Sequence, residues 1–316
     1  MDVTEDELLT AIRRVLSDAP PEVVVGVGDD AAVVRPGAGE LVLTTDALVE
    51  GSHFVRGLTT PRDLGHRAIA VNVSDIAAMA ASPRYALCAL TLSDAVDAAW
   101  TMELFGGMRE ACDAFACTLV GGNLARGRDV TVAVTVCGEV ASGRAITRAG
   151  ARAGEVVVVT GELGSSSAGR RLRDRGPSWD ELERAAIRLA DRGQARVGEG
   201  ALLARHGATA MLDISDGLCL DLARLCAVSA VGVRLRQTDL PVGPRATVDE
   251  ALGGGEDHEL LAAMPAADVG PAAAAMHETF GVPLTAIGDV TPAGLVLLDA
   301  AGQERPLPAS GWDHFV

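Results

Sequence analysis

The sequence predicts an α/β (α+β) protein folded as two domains. Apolar runs rich in Val and Leu alternate with Ala-rich helical stretches along the whole chain. A Gly- and Arg-rich stretch, "ASGRAITRAGARAGE" (141–155), interrupts that alternation between two halves of similar size and similar element types. The chain has 316 residues, enough for two moderate domains with cores of their own. The boundary is set there, giving domains of 1–140 and 141–316.

Taken in order, the opening "MDVTEDELLTAIRRVL" spaces its apolar residues as an amphipathic helix. Its acidic character sets it apart from a signal or transit peptide. In the first half, strands are predicted at "EVVVGVG", "ELVLTTD", "RYALCALTL", "CTLVGG" and "VTVAVTVCGEV". In the second half they are predicted at "GEVVVVTG", "ATAMLDI", "GVRLR", "HELLAAM", "LTAIGDV" and "GLVLLD". Helices are predicted over 62–81, 97–116, 180–204 and 216–229. Hydrophobic content of 48% with only 3% aromatic residues means that the cores are built from Ala, Val and Leu.

Composition excludes several functions. No apolar run reaches the length of a membrane span. A formal charge of −16 argues against nucleic acid or an anionic membrane as partner, since both select basic surfaces. Six cysteines occur without a CxxC pair, and Cys88, Cys112, Cys137 and Cys219 sit in apolar runs. They read as buried free thiols of a cytoplasmic protein, not as a zinc site. The chain contains no lysine, and every one of its 27 basic side chains is arginine. A Walker A lysine, a kinase strand lysine and a Schiff base are all ruled out. Any nucleotide chemistry here must use Mg²⁺, arginine and backbone amides.

Carboxylates recur at strand ends and beside glycine turns, where segments converge. "GVGDDAAVV" carries Asp29 and Asp30, and "LVLTTDALVEGSHF" carries Thr44, Thr45, Asp46 and His53. "AMLDISDGLCLDL" gives Asp213, Ser215 and Asp216, and "GGGEDHELL" gives Glu256 and Asp257. Taken singly, Asp29–Asp30 reads as a turn, Ser215 or Asp216 as a helix cap, and His53 as a surface or core histidine. Asp75 resists such a reading, because a carboxylate inside the apolar "AIAVNVSDIAAMAA" is costly to bury unpaired. Together, hard oxygen donors without a Cys/His cluster point to Mg²⁺ and bound phosphates. "VVVVTGELGSSSAG" is either a phosphate cradle at a helix start or a plain structural turn.

The ordered motifs "GVGDDAAV", "TTDALVEGSHF", "AVNVSDIAAMAA", "VGGN", "RAITRAG", "VTGELG", "MLDISDGL", "GGGEDHELL" and "GWDHF" resemble thiamine-monophosphate kinase, in the aminoimidazole ribonucleotide synthetase superfamily. The resemblance spans nearly the whole chain. It implies a two-domain fold, an N-terminal domain whose β-sheet forms a homodimer, and a C-terminal α/β domain. It also implies ATP in the cleft with its phosphates wrapped in several Mg²⁺ ions. By the motif match, Asp30, Thr44, Thr45, Asp46, Asp75, Asn123, Asp213 and Asp216 are the metal-binding set. Gly122, Asn123, Arg148 and Ser215 are ATP contacts, and His53, Glu256 and Trp312 are thiamine monophosphate contacts. The implied reaction passes the γ-phosphoryl group of ATP to thiamine monophosphate with no general base.

Asn123 stands where the family has aspartate, His258 where tyrosine is common, and "ADRGQARVGEG" lacks the family's prolines. Asn123 also motivates a rival, a weakened protein that binds nucleotide or thiamine phosphate without turnover. A second rival is a superfamily relative acting on another phosphorylated substrate.

Overall fold

The computed structural model describes residues 5–16, 20–27, 31–176 and 178–312. The chain divides into two compact units, residues 1–76 with 82–143, and residues 77–81 with 144–316.

The first unit starts with helix α1 (Glu5–Val15) and an antiparallel pair, β1 (Val23–Val25) and β2 (Val33–Val34). It continues with β3 (Glu40–Val49), α2 (Pro61–Ala78), β4 (Ser82–Leu92), α3 (Ala98–Ala114), β5 (Thr118–Arg126) and β6 (Thr131–Val140). The larger sheet has the order β3-β6-β4-β5 and is antiparallel except for the β4–β5 pair. One of its faces is apolar and covered: Val132, Val134 and Val136 are buried, while Thr135 between them is exposed. Helix α2 is buried almost all round, with Leu64, Ala68, Ile69, Ala70, Val73 and Ile76 each removed from solvent. It packs closely on α3 through glycines. A Cβ at Gly65 would lie 1.9 Å from the Leu104 carbonyl oxygen, and one at Gly107 1.8 Å from that of Arg62.

The second unit runs β7 (Val156–Thr160), α4 (Ser165–Arg173), α5 (Glu181–Arg192), α6 (Val197–Arg205), β8 (Ala210–Asp213), α7 (Leu218–Ser229) and β9 (Gly232–Arg236). It ends with α8 (Val248–Gly253), β10 (Leu260–Met264), α9 (Ala266–Phe280), β11 (Leu284–Thr291), β12 (Leu295–Leu298) and β13 (Glu304–Pro306). Its seven-stranded sheet has the order β13-β12-β9-β11-β7-β10-β8, with only β9–β12 parallel. Both faces are covered, which explains why "EVVVVT" is apolar without alternation. Val157 and Val159 join a cluster with Leu222, Leu225 and Leu261. Val158, between them, joins the opposite cluster with Leu202, Leu203, Met264 and Met276.

Two helix expectations change. The helix predicted over 180–204 is two, because Gly193 ends α5 at φ +64° and the chain re-enters helix only at Val197. Helix α9 was hidden in the sequence by Gly270 and Pro271, yet it forms and buries Ala272 and Met276.

Candidate active site

In the first unit the strand "ELVLTTDALV" presents its polar residues to two different faces, because side chains alternate. The Thr44 hydroxyl donates to Asp75 Oδ2 at 2.6 Å, so β3 and α2 bring these two together. Thr45 turns the other way, where its hydroxyl donates to the Val134 carbonyl at 3.0 Å and accepts from Thr135 at 3.1 Å. Thr44 and Thr45 thus present their hydroxyls on opposite faces of the strand. Asp46 shares the strand face of Thr44.

Thr45 lies opposite Thr135, Thr135 opposite Leu87, and Leu87 beside Gly121, so Asn123 stands on the Thr45 face. It also lies three strands from β3, or about 14 Å at about 4.8 Å per strand. Gly122 belongs to the same outlying strand. Asp30, with Asp29, lies outside the described residues.

His53 sits in the loop after β3. Its Nδ1 accepts the Val49 N–H at 3.1 Å, so the neutral ring carries its proton on Nε2, a donor suited to a phosphate oxygen. Arg67 donates to the His53 carbonyl at 3.0 Å and fixes the backbone there. Glu50 closes the same loop. It accepts from Arg56 Nε at 2.9 Å and from the Val130 N–H at 3.0 Å.

In the second unit, β8 ends at Asp213 and a tight turn, Ser215–Gly217, leads into α7. Other loops converge on this turn. The Glu256 N–H donates to the Ser215 carbonyl at 2.7 Å, and the Trp312 N–H to that of Asp216 at 2.8 Å. The His258 N–H donates to the Ile214 carbonyl at 2.9 Å, and its Nδ1 lies 3.2 Å from Asp213 Oδ2. Asp213, Ser215, Asp216, Glu256 and Trp312 are thus gathered, although nearly 100 positions separate the first from the last. Glu256 and His258 hold φ of +59° and +50°, conformations that non-glycine residues keep only when their surroundings fix them. Arg170 supplies part of that fixing, pairing with Glu256 and donating to the Gly254 carbonyl at 2.7 Å. The Trp312 side chain is open to solvent at 56% exposure, available for stacking on a ring.

Arg148 is not part of this gathering by its backbone. Its carbonyl accepts from Ser229 at the far end of α7, a helix of 12 residues and so about 18 Å long.

Buried carboxylates engage N–H groups at the start of α4 and in the turn before α7. The Gly164 and Ser166 N–H groups that open α4 donate to Asp257 at 2.7 and 3.1 Å. The turn reading of "GELGSSSAG" therefore prevails. Burial pushes the Asp257 carboxyl up to about 6, against the lowering effect of those two N–H donors. At α7 the three N–H groups of Ser215, Asp216 and Gly217 donate to Asp221. Asp257 was among the carboxylates read from sequence; Asp221 was not, although it sits inside the apolar "LCLDL" and carries the same signal as Asp75.

Among the described residues, no three His, Cys, Asp or Glu side chains are close enough to hold a metal by themselves. That arrangement fits Mg²⁺, which keeps waters and substrate phosphates among its ligands and needs only one or two carboxylates. The donors are all oxygen, and Asn72 Oδ1, fully buried one helical turn before Asp75, has no hydrogen-bond donor. The cysteines are free thiols, and burial pushes Cys88 up to about 12 and Cys226 to about 11, far from nucleophilic use.

Two family models match the chain: the AIR synthase related protein N-terminal domain over residues 28–140, and its C-terminal domain over 152–298. Thiamine-monophosphate kinase of Escherichia coli (strain K12) is 35% identical over 312 residues, covering 93% of each chain. The crystal structure of thiamine-monophosphate kinase from Stenotrophomonas maltophilia K279a superposes with a TM-score of 0.84 at 31% identity, covering 96% of this chain and 99% of that one. A structure of AaThiL complexed with AMPPCP and TMP gives 0.79 at 31% identity, covering 98% and 97%.

Proposed function

The chain belongs to the thiamine-monophosphate kinase family of AIR synthase related proteins, and from that premise we propose that it transfers the ATP γ-phosphoryl group to thiamine monophosphate, giving ADP and thiamine diphosphate. The nucleophile is a phosphate oxygen of thiamine monophosphate, already anionic near neutral pH. No side chain has to remove a proton, and no catalytic base is assigned. The work left to the protein is to hold two polyanions in line.

This chain lacks lysine; Asp257 engages the Gly164 and Ser166 N–H groups at the start of α4, and Asp221 those of the Ser215–Gly217 turn. Mg²⁺ would neutralise the phosphates and position them for in-line transfer when bound. In the first unit Thr44, Thr45, Asp46 and Asp75 are assigned as metal ligands, with Asp30 by the motif match; in the second unit, considered by itself, Asp213 and Asp216 are. Ser215 and Arg148 are assigned to ATP. His53, through its Nε2–H, and Glu256, held by Arg170, are assigned to thiamine monophosphate, with Trp312 against a thiamine ring.

The homodimer is assigned to the outer face of the first unit's sheet. Leu41 and Leu43 on β3 are 59% and 67% exposed and Leu87 on β4 is 44% exposed, an apolar row that a second copy would cover. Asn123 lies on that same face. The enzyme is placed in the cytoplasm; among the described residues no helix is long and apolar enough to cross a membrane.

What carries this reading is the gathering of Asp213, Ser215, Asp216, Glu256 and Trp312 around one turn. Incubation with ATP, Mg²⁺ and thiamine monophosphate should yield ADP and thiamine diphosphate in equal amounts. ADP without thiamine diphosphate, or neither product, would overturn it.

A further inference from the structure

We propose that Asp221 is a positioning residue of the nucleotide site: its carboxylate holds the backbone of the Ser215–Asp216–Gly217 turn and so sets where the Ser215 side chain and the Arg224-paired Asp216 side chain are presented. The inference rests on the kinase reading above, and deepens it. The first N–H groups of any helix lack partners within it, and a Ser or Asp just before the helix ordinarily supplies the acceptor. Ser215 and Asp216 are the residues that sequence would give this task. In the structure neither performs it: the residue before α7 is Gly217, with no side-chain cap.

Asp221 instead holds the turn before the helix, reaching back from the helix's first turn. Its Oδ2 accepts from the N–H groups of Ser215, Asp216 and Gly217 at 3.1, 2.9 and 3.1 Å. Its side chain is 3% exposed, so water does not compete for those donors. Arg224 Nη1 donates to Asp221 Oδ1 at 2.8 Å and pairs with Asp216 through the same nitrogen. A carboxylate whose second oxygen faces a guanidinium and whose first accepts three N–H groups is held in one orientation. The turn it fixes is also the one on which the Glu256 and Trp312 backbones dock. Asp221 therefore acts on the ligand through Asp216 and Ser215, and does not itself touch it.

The test uses the full chain and two probes, Mn²⁺ with AMPPCP and, separately, thiamine monophosphate. In Asp221→Asn, Mn²⁺–AMPPCP affinity measured calorimetrically should fall by about 10-fold or more, the range for residues that orient metal ligands. The KM for nucleotide should rise similarly, and that for thiamine monophosphate with it, since Glu256 and Trp312 dock on the same turn; Asp221→Glu, which keeps the carboxylate, should recover part of the nucleotide affinity, a rescue that general loosening would not give. Wild-type affinity in a folded Asp221→Asn protein would overturn the proposal. Should that variant not fold, hydrogen exchange on the wild type decides. The Ser215, Asp216 and Gly217 amides should be protected together, and free exchange at all three would overturn it. Wild-type protein that neither binds Mn²⁺–AMPPCP nor turns over would instead sink the kinase reading, and the amide measurement would still judge the clamp.

Discussion

Asp257→Asn tests whether the start of α4 is held by an internal carboxylate. Asp257 is 1% exposed and accepts from Gly164 N–H at 2.7 Å and Ser166 N–H at 3.1 Å. Burial outweighs these donors and moves the carboxyl from 3.8 up to about 6. The folded protein thus keeps this proton more tightly than the unfolded chain. Stability contributed here is complete below 3.8 and is lost as pH rises to about 6. At 1.36 kcal/mol per pH unit the loss is about 3 kcal/mol. Asn carries no titrating proton. Wild-type stability minus that of Asp257→Asn should therefore fall by about 3 kcal/mol between about pH 3.5 and about pH 7, and stay level above. Urea denaturation across that range measures it, with Trp179 fluorescence as a local report, since Trp179 packs against α4 and donates to the Leu172 carbonyl. A difference that does not change with pH, or grows as pH rises, would refute the reasoning.

Asp75→Asn should lower kinase turnover by on the order of 100-fold or more, with the melting temperature moved by only a few degrees. Turnover like the wild type at saturating Mg²⁺ would remove Asp75 from the metal set. Asn123→Asp should keep or raise turnover at limiting Mg²⁺, since it adds a charged oxygen donor. A large loss there would count against Asn123 as a metal-site residue. Leu43→Glu places a charge in the exposed apolar row and should convert a dimer into monomer on light scattering, with the fold unchanged by circular dichroism. An unchanged mass would move the interface elsewhere.

The sequence made the chemistry of the site legible but not its partition in space. The strands of the second unit were readable because a run such as "EVVVVT" is apolar at every position only when both faces are covered. Asp75 was readable because a carboxylate in an apolar helix demands a partner, and Thr44 is one. Thr45 and Asn123 were not separable from Thr44 and Asp75 by motif. Which face a residue occupies depends on strand register, and register is set by pairings such as Thr45 with Thr135, far apart in sequence. Arg170, and the contact that Asp257 makes, escaped for a similar reason, since their partners lie 86 and 93 residues away. Asp221 could have been found. It sits five positions beyond Asp216 in an apolar helix start, with the same signature that exposed Asp75.

Magnesium dependence of turnover tests the central claim most directly, that metal ions do in this lysine-free chain what lysine and helix-start amides do elsewhere. With ATP and thiamine monophosphate held saturating, thiamine diphosphate formation should be absent in chelator. It should then rise with Mg²⁺ more steeply than ATP complexation alone requires, as several ions demand. Formation of thiamine diphosphate without divalent metal, or a rise that tracks the Mg·ATP complex alone, would contradict the account.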